Sequence, residues 1–196
     1  MYKGELVFAT NNKHKMEEAK HILSFDIMLL SLQDVGCFTE LPETHETLHE
    51  NALEKAGFLY QHYKQNCFSD DTGLEVESLN GAPGVYSARF AGAGKSYRDN
   101  YELLLNKMQG YTNRKARFRT VVALILEGKE CLFEGAINGL ILENPTGEQG
   151  FGYDPVFQPE GYSKSFAEMS LEEKNQISHR KIAMKKLADF LNALRA

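Results

Sequence analysis

The sequence is poor in several features that define whole classes of protein. Its three cysteines, Cys37, Cys67 and Cys131, show no CxxC spacing, which argues against a disulfide-stapled secreted protein and favours buried thiols in a reducing compartment. It has no apolar stretch long enough for a signal peptide or a membrane span, so we expect a cytoplasmic protein with no membrane partner. Cations are not in excess, since 22 Lys and Arg face 27 Asp and Glu, and the net charge of -5 gives no general field for nucleic acid. Any anionic ligand must therefore be bound by local groups.

The rest of the composition is that of an ordinary globular chain. Of the 196 residues, 42% are hydrophobic, 11% are aromatic and 25% are charged, which argues against a disordered, collagen-like or coiled-coil chain. A chain of this length can bury a large core. We therefore expect one domain over residues 1–196, built as two lobes that share a core.

The first 70 residues alternate between strand-like and helical patterns. Leu6–Ala9 is an apolar run typical of a buried strand, a helical pattern follows it, and Asp26–Leu30 is a second strand-like run. Thr44 can cap a long helix that continues to about Gln65, and Asn66–Asp70 is predicted to be the third strand. This order predicts parallel strands and an α/β fold.

The remaining sequence breaks this alternation. Residues 71–94 are rich in glycine and turn residues and are predicted to form a functional surface loop. A helix is predicted over Tyr97–Met108, and the β-type runs Arg117–Leu126 and Glu130–Leu142 predict an antiparallel hairpin. The last helix should begin at about Ser178, and its apolar stripe is predicted to consist mainly of Ile182, Lys186, Leu187, Phe190, Leu191 and Leu194.

The segment after the first strand has the composition of a phosphate-binding loop. Backbone N–H groups at a helix start, amide side chains and cations would meet there, and phosphate suits that combination. The segment matches neither GxGxxG nor the Walker motif, so a solvated surface loop is the alternative. The candidate residues are Thr10, Asn11, Asn12, Lys13, His14 and Lys15.

Two adjacent carboxylates stand at the end of the third predicted strand, in Ser69-Asp70-Asp71-Thr72-Gly73. Successive strand residues point to opposite faces, so one carboxylate can face a ligand while the other serves the structure. With Glu43 or Glu50 supplied from elsewhere, an oxygen-ligand Mg²⁺ site becomes possible. The alternative is a pair of turn-capping aspartates.

A third group of residues suggests a pocket for a nucleobase. Aromatic rings stack on any base, and an Arg or Lys donor suits the keto oxygen and N7 of a purine better than the amino group of adenine. The alternative is that the rings belong to the core and that the cations are solvated helix charges. The residues are Phe151, Gly152, Tyr153 and Asp154, with Lys174, His179 and Arg180 around the start of the last helix.

Two further patterns indicate other functions. His45-Glu46-Thr47-Leu48-His49 matches the HExxH pattern of zinc peptidases, although no third ligand follows at a recognisable spacing. Gly92–Ser96 is similar to the end of a Walker loop, but Arg89 stands where that motif needs glycine. A zinc peptidase that uses His45, Glu46 and His49 therefore stays as an alternative, and the Walker interpretation is rejected.

Four motifs in this order resemble the inosine triphosphate pyrophosphatase family, which hydrolyses non-standard purine nucleoside triphosphates. The resemblance covers nearly the whole chain, and it departs from the family pattern at Asn11, where many relatives have glycine. The matching positions are Thr10, Asn12 and Lys15 for T-x-N-x-x-K, Asp70–Gly73 for the acidic motif, Phe151–Asp154 for the aromatic loop and Ser178–Arg180 for S-H-R.

The resemblance implies an elongated α/β fold with a central mixed β-sheet flanked by helices and a substrate cleft between two lobes. It also implies Mg²⁺ dependence, a homodimer, and hydrolysis of ITP, dITP and XTP to the monophosphate and pyrophosphate. Asp71 would be the general base, and Glu43 and Asp71 the metal site. The other implied contacts are Thr10–Lys15, Thr72 and Lys174 for the phosphates or substrate, and Phe151–Asp154, His179 and Arg180 for the base.

Two hypotheses make this assignment specific. A carboxylate near Mg²⁺ normally has a low pKa, so we expect Asp71 to be ionised at rest and to accept the proton from water. We expect Arg180 to donate to the six-position of the purine and so to select against ATP. A non-catalytic purine-nucleotide sensor is the alternative from another functional class.

Overall fold

A computed structural model describes residues 4–23 and 27–194. Within these residues the strands are Glu5–Phe8 (β1), Met28–Leu30 (β2), Cys67–Val76 (β3), Pro83–Gly84 (β4), Lys115–Leu126 (β5), Lys129–Ile141 (β6) and Phe157–Pro159 (β7). The α-helices are Lys13–Ile22 (α1), Leu48–Tyr63 (α2), Tyr97–Lys107 (α3), Leu171–Ile177 (α4) and His179–Ala193 (α5). In this part of the chain, no helix has the length and hydropathy needed to cross a bilayer.

The strands form one mixed sheet in the order β2-β1-β3-β5-β6-β7, with β4 paired to β3. β1 is parallel to β2 and to β3, with Val7 opposite both Leu30 and Cys67. The pairs β3–β4 and β6–β7 are antiparallel. The prediction of an α/β fold with a central mixed sheet flanked by helices is confirmed.

Residue contacts divide the chain into two compact units, and the first comprises Met1–Asp71, Thr120–Gly135 and Arg180–Ala196. In this unit α1 and α5 cover one face of the sheet and bury an apolar cluster. α2 lies on the other face, where Ser69 Oγ donates to Ala52 O and Cys67 Sγ donates to Ala56 O. The buried cluster consists of Leu6, Phe8, Ala19, Ile22, Leu23, Phe68, Val122, Leu124, Ala183, Met184, Leu187 and Leu191.

The second unit comprises Thr72–Arg119 and Ala136–His179. Its core combines residues of α3 with the parts of β3, β5 and β6 that belong to this unit, and with the segment around β7. The cluster consists of Leu74, Val76, Leu104, Met108, Ala116, Phe118, Ile141, Tyr153, Val156, Phe157, Phe166 and Met169.

β3 is longer than the sequence indicated, because it continues through Val76 instead of ending near Asp70. The expectation that residues 71–94 form a surface loop was therefore wrong at their start. Gly73 explains the difference: a Cβ there would lie 2.6 Å from Gly84 O, so the glycine permits the close approach of β4. The glycine belongs to a strand pairing and not to a loop.

The predicted hairpin is present, and its turn lies at Glu127 and Gly128. Both residues have positive φ angles, of 51° and 79°. These values suit a type I′ turn, whose twist matches that of the flanking strands. β5 begins at Lys115 instead of Arg117 and ends at Leu126 as predicted, and β6 spans Lys129–Ile141 instead of Glu130–Leu142.

Two helix predictions need correction. α2 begins after Thr47 and not after Thr44, because Thr47 Oγ1 accepts from Glu50 N at 3.2 Å and donates to the Glu50 carboxylate at 2.7 Å. The stripe of α5 also differs, since Ile182 and Leu194 are exposed. Its buried residues are Ala183, Met184, Leu187 and Leu191.

Two smaller expectations concern a strand start and the cysteines. β2 begins at Met28, and Asp26, where the sequence placed its start, lies outside the described residues. Cys37 and Cys67 are buried thiols, whereas Cys131 is only half-buried. Burial raises the pKa of the Cys67 thiol to about 12, so this thiol stays protonated at neutral pH.

Candidate active site

Asp70, on β3, is buried beneath α1 and α5. Lys15 Nζ donates to Asp70 Oδ1 at 2.9 Å, and Arg180 Nε donates to Oδ2 at 3.1 Å. Burial alone would raise the pKa of Asp70, but the charges of Lys15 and Arg180 outweigh it and hold the pKa well below its usual range. Asp70 is therefore an ionised carboxylate between two cations.

Arg180 is committed to this buried network. It is 1% exposed, and its Nη1 donates to the carboxylate of Glu18 on α1. Burial tends to lower the pKa of Arg180, but Glu18 and Asp70 raise it above its ordinary value. This placement favours a structural ion pair over the expected donation to the six-position of a purine, and it excludes the alternative that Arg180 is a solvated helix charge.

Asp71 contacts α2, on the opposite face of β3. Asn51 Nδ2 donates to Asp71 Oδ2 at 3.3 Å, and Lys55 Nζ donates to Oδ1 at 3.5 Å. The expectation that Asp70 and Asp71 face opposite sides of the strand is confirmed. Asp71 is 6% exposed, so its carboxylate has little contact with bulk water.

Lys55 is the centre of a cluster that we call the Lys55 cluster and define as Glu43, Asn51, Lys55, Asp70 and Asp71. Its ammonium donates to Glu43 Oε1 at 2.6 Å and to Asp70 O at 2.7 Å, in addition to Asp71. Burial lowers the pKa of Lys55, but the charges of Asp71, Glu43 and Asp70 outweigh burial and raise the pKa above its usual value. Lys55 therefore stays charged although it is only 5% exposed.

The protein groups around Asp71 raise its pKa, whereas the low pKa expected for it is that of a carboxylate beside Mg²⁺ and stays a prediction. Burial is the main cause, and the nearby charges of Glu43 and Asp70 add to it, while Lys55 and Lys15 act in the opposite direction. A carboxylate with a raised pKa accepts a proton more readily than an ordinary aspartate. This environment suits a general base.

The carboxylates of Glu43 and Asp71 form a donor set that fits Mg²⁺. Both contact the Lys55 ammonium, at 2.6 Å for Glu43 and 3.5 Å for Asp71, so the two carboxylates are close neighbours. Residues 4–23 and 27–194 contain no group of three or more His, Cys, Asp or Glu placed to hold a metal ion. Mg²⁺ usually takes one or two protein carboxylates and completes its shell with water and substrate phosphates. A structural zinc centre would need more protein ligands than this.

The HExxH pattern does not form a zinc site. Helix α2 begins at Leu48, so His45 and Glu46 precede it and do not share a helix face with His49. His45 Nε2 lies 3.9 Å from Glu54 Oε1, and His49 Nε2 lies 3.3 Å from a Glu134 oxygen. The zinc peptidase alternative is therefore not supported.

The segment before α1 uses its own side chains to satisfy part of its backbone. Asn12 Oδ1 accepts from His14 N at 3.0 Å and from Lys15 N at 3.2 Å, and Thr10 Oγ1 accepts from Asn12 N at 3.2 Å. The expectation of free N–H groups at this helix start was therefore wrong for His14 and Lys15. Lys15 contacts Asp70 through its ammonium, whereas Asn11, Lys13 and His14 are exposed.

In the second unit, a buried ion pair fixes the aromatic segment. Asp154 Oδ2 accepts from Phe151 N at 2.8 Å and from Lys174 Nζ at 2.7 Å. The Lys174 ammonium also lies 4.9 Å from the centre of the Phe151 ring, a cation–π distance. Lys174 is therefore not a solvated helix charge. Phe151 is half-buried, and Gly152 beside it has a φ of 66°.

Tyr153 and His179 belong to the core of the second unit. Tyr153 is 4% exposed and its hydroxyl donates to Ser87 O at 2.9 Å, and burial raises its pKa. The ring of His179 stacks on Phe118 with centroids 4.6 Å apart. Both side chains are thus buried, and the core alternative describes the placement of Tyr153. Thr72, also in this unit, is half-buried on β3.

Sequence reasoning missed Lys55, Asn51 and Glu18. A signal existed for the first two, because the buried face of α2 repeats with helical spacing and passes through both positions. A polar residue on such a face must be paired, which marks it as structural or functional. Glu18 gave no comparable signal, since its partner Arg180 is 162 residues away. The buried residues of α2 are Leu48, Asn51, Ala52, Lys55, Ala56 and Leu59.

Buried carboxylates on β3 that contact lysines of α1 and α2 are suited to a hydrolase that acts on phosphorylated substrates. The model of the Ham1 family matches residues 6–190, and the chain belongs to the Ham1 family. The resemblance to the inosine triphosphate pyrophosphatase family is thereby confirmed.

Individual relatives match over almost their whole length. A dITP/XTP pyrophosphatase of Flavobacterium johnsoniae is 50% identical over 189 residues, which cover 96% of this chain and 98% of the relative. Among solved structures, a Staphylococcus aureus Ham1 protein is 38% identical with a TM-score of 0.88. A HAM1 protein from Coxiella burnetii is 31% identical with a TM-score of 0.89. Each of these structures covers 96% of this chain and is itself covered to 98%.

Proposed function

We propose that this chain hydrolyses non-standard purine nucleoside triphosphates, namely ITP, dITP and XTP, to the monophosphate and pyrophosphate. The observation that carries the proposal is the convergence of Glu43 and Asp71 on the Lys55 ammonium, beside the Lys15–Asp70 pair. Membership in the Ham1 family and relatives named dITP/XTP pyrophosphatases support the same substrate class. Residues 1–196 then act as one pyrophosphatase domain with two lobes.

The chemistry needs one base and several positive charges. Water attacks the α-phosphorus, the bond from that phosphorus to the bridging oxygen breaks, and pyrophosphate leaves with the bond electrons. The carboxylate of Asp71 takes the proton of the attacking water, and Lys15 and Lys55 offset charge on the phosphates. Phosphoryl transfer depends mainly on positioning and charge, so one base and these lysines are the types of group that the reaction needs.

Glu43 and Asp71 would hold Mg²⁺, since hydrolysis in this family is metal-dependent. When bound, the ion supplies positive charge to the phosphates and makes water more acidic. The protein contributes the two carboxylates, and Lys55 keeps them on one side of the site.

The remaining substrate contacts are assigned by the family motifs. We infer that Phe151 stacks on the purine, and that Gly152, Asp154 and Lys174 shape the base and phosphate contacts around it. Tyr153, His179 and Arg180 would support these contacts from buried positions. The partner is the nucleotide substrate, and we expect a homodimer in the cytoplasm.

The test is release of pyrophosphate from ITP, XTP, GTP and ATP by the purified protein with Mg²⁺. We expect turnover of ITP and XTP. A protein that binds ITP without releasing pyrophosphate would be a sensor, and the proposed function would be wrong.

The role of Asp71 is tested by Asp71→Asn. Removal of the base should lower kcat by at least about 100-fold, while much of the affinity for ITP remains. The matched control is Asp189→Asn, which changes an exposed carboxylate on α5 and should leave kcat unchanged. A fully active Asp71→Asn protein would remove Asp71 from the mechanism.

A further inference from the structure

The side-chain amide of Asn51 is engaged at both ends within the first unit. Asn51 Oδ1 accepts from His45 N at 2.9 Å, Nδ2 donates to Asp71 Oδ2 at 3.3 Å, and the residue is 1% exposed. A backbone N–H can only donate, so the amide oxygen must face His45 and the NH₂ group must face Asp71. The hydrogen bond from His45 N therefore determines that Asn51 donates to Asp71.

His45 lies two residues after Glu43, in the segment that precedes α2. Glu43 in turn accepts from Lys55 Nζ at 2.6 Å. One buried side chain thus connects the segment that carries Glu43 with the carboxylate of Asp71. Loss of this amide would leave Lys55 to hold the two carboxylates without it.

Asn51 also supplies a hydrogen bond without supplying charge. Lys55 already places an ammonium beside Asp71 Oδ1. A neutral donor on Oδ2 orients the carboxylate and leaves Oδ1 on the side of Lys55. Orientation and charge are therefore controlled by different residues of α2.

We propose that Asn51 is a positioning residue for the hydrolysis. It holds Asp71 and the segment that carries Glu43 in the arrangement in which both carboxylates contact the Lys55 ammonium. The inference rests on the proposed function. Partners that orient ligating or reacting groups typically contribute about 10–100-fold to metal affinity or activity. We expect Asn51→Ala to lower kcat by about that factor, with KM for ITP changed by less than about three-fold.

The segment that carries Glu43 makes a second contact with α2, and this contact provides a matched control. Thr44 N and Thr44 Oγ1 both donate to the Glu54 carboxylate at 2.8 Å, and Glu54 has no described contact with Asp71. Glu54→Ala removes these hydrogen bonds from the segment and leaves the Asn51–Asp71 contact in place. A purely structural tether would make the two alanine variants equivalent.

The experiment compares the wild type with Asn51→Ala, Asn51→Asp and Glu54→Ala. Asn51→Asp keeps the size of the side chain and the acceptor for His45 N, but places an oxygen where Asp71 needs a donor. For each variant kcat and KM are measured with ITP, and folding is checked by thermal unfolding. For Asn51→Ala and Glu54→Ala, the affinity for Mn²⁺ with α,β-methylene-ITP is measured by electron paramagnetic resonance.

We expect both Asn51 variants to lose kcat and Asn51→Ala to bind Mn²⁺ about 10-fold more weakly, while Glu54→Ala stays within about three-fold of the wild type. Wild-type kcat in either Asn51 variant, or an equal loss in Glu54→Ala, would overturn the inference. If Asn51→Ala does not fold, the kcat of Asn51→Asp decides alone. Failure of the wild type to release pyrophosphate would refute the proposed function instead, so the two failures are distinguishable.

Discussion

Replacing Lys55 by methionine removes a buried charge and keeps an unbranched side chain of similar length. The substitution deletes the donor to Glu43 Oε1 at 2.6 Å, to Asp70 O at 2.7 Å and to Asp71 Oδ1 at 3.5 Å. Two carboxylates are then left beside one another without the ammonium that separates them. We expect a loss of both folding stability and activity.

The size of each loss follows from burial. Removing one partner of a buried ion pair costs about 3–5 kcal/mol. Lys55 has a side chain only 6% exposed, but the side chain of Glu43 is 34% exposed and can be partly rehydrated. The free energy of unfolding should therefore fall by about 3 kcal/mol, the lower end of that range. Loss of one charge aimed at the reacting groups should lower kcat/KM by about 10²–10³-fold.

Urea unfolding and steady-state pyrophosphate release from ITP measure these two quantities. The matched control is Lys185→Met on α5, where the ion pair with Asp189 is exposed and is worth less than about 0.5 kcal/mol. Similar unfolding free energies in the two variants, together with kcat/KM within about three-fold of the wild type for Lys55→Met, would refute the reasoning.

Three further outcomes follow from the same contacts. Phe151→Ala should raise the KM for ITP about 10-fold, because the stacking on the purine is lost. Tyr153→Phe should lower the free energy of unfolding by about 1 kcal/mol, because the hydrogen bond to Ser87 O is lost, and should leave KM unchanged. Equal KM values in the two variants would contradict this expectation. Arg180→Met should lower the free energy of unfolding by about 3–5 kcal/mol and leave the ratio of kcat/KM for ITP to kcat/KM for ATP unchanged. A smaller ratio in this variant would show that Arg180 contributes to recognition of the base. The pKa of Asp70 is lower in the folded than in the unfolded protein, so its stabilising contribution is complete above roughly pH 4 and is lost as the pH falls further. Between pH 5 and pH 3, the free energy of unfolding should therefore fall more in the wild type than in Asp70→Asn.

The elements that could be predicted from sequence are those with strong local signals. The parallel β1–β2 pair follows from apolar runs on either side of a helical pattern, and the hairpin of β5 and β6 follows from two long β-type runs with a glycine between them. The extension of β3 through Gly73 could not be predicted in this way. Gly73 lacks a side chain because Gly84, on another strand, comes close to it, and the sequence around Gly73 does not show this contact.

The roles of the cations were harder to predict than their presence. Lys15, Lys174 and Arg180 were all selected as binding residues, and all three are paired with carboxylates inside their own units. Burial is the property that decides between a substrate contact and a structural ion pair, and burial depends on which elements cover a residue. A motif identifies residue types at fixed spacing, so it cannot separate these two uses.

Strand parity explains why the acidic motif was the most informative part of the sequence. Adjacent residues on a strand must face opposite sides, so Asp70 and Asp71 had to divide between two sets of neighbours. One side supplies two cations that hold Asp70 ionised, and the other supplies a neutral amide and one lysine, so that burial raises the pKa of Asp71. The same residue type thus has opposite pKa shifts at consecutive positions, and Asp71, which is not held between two cations, is the carboxylate that we propose accepts the proton.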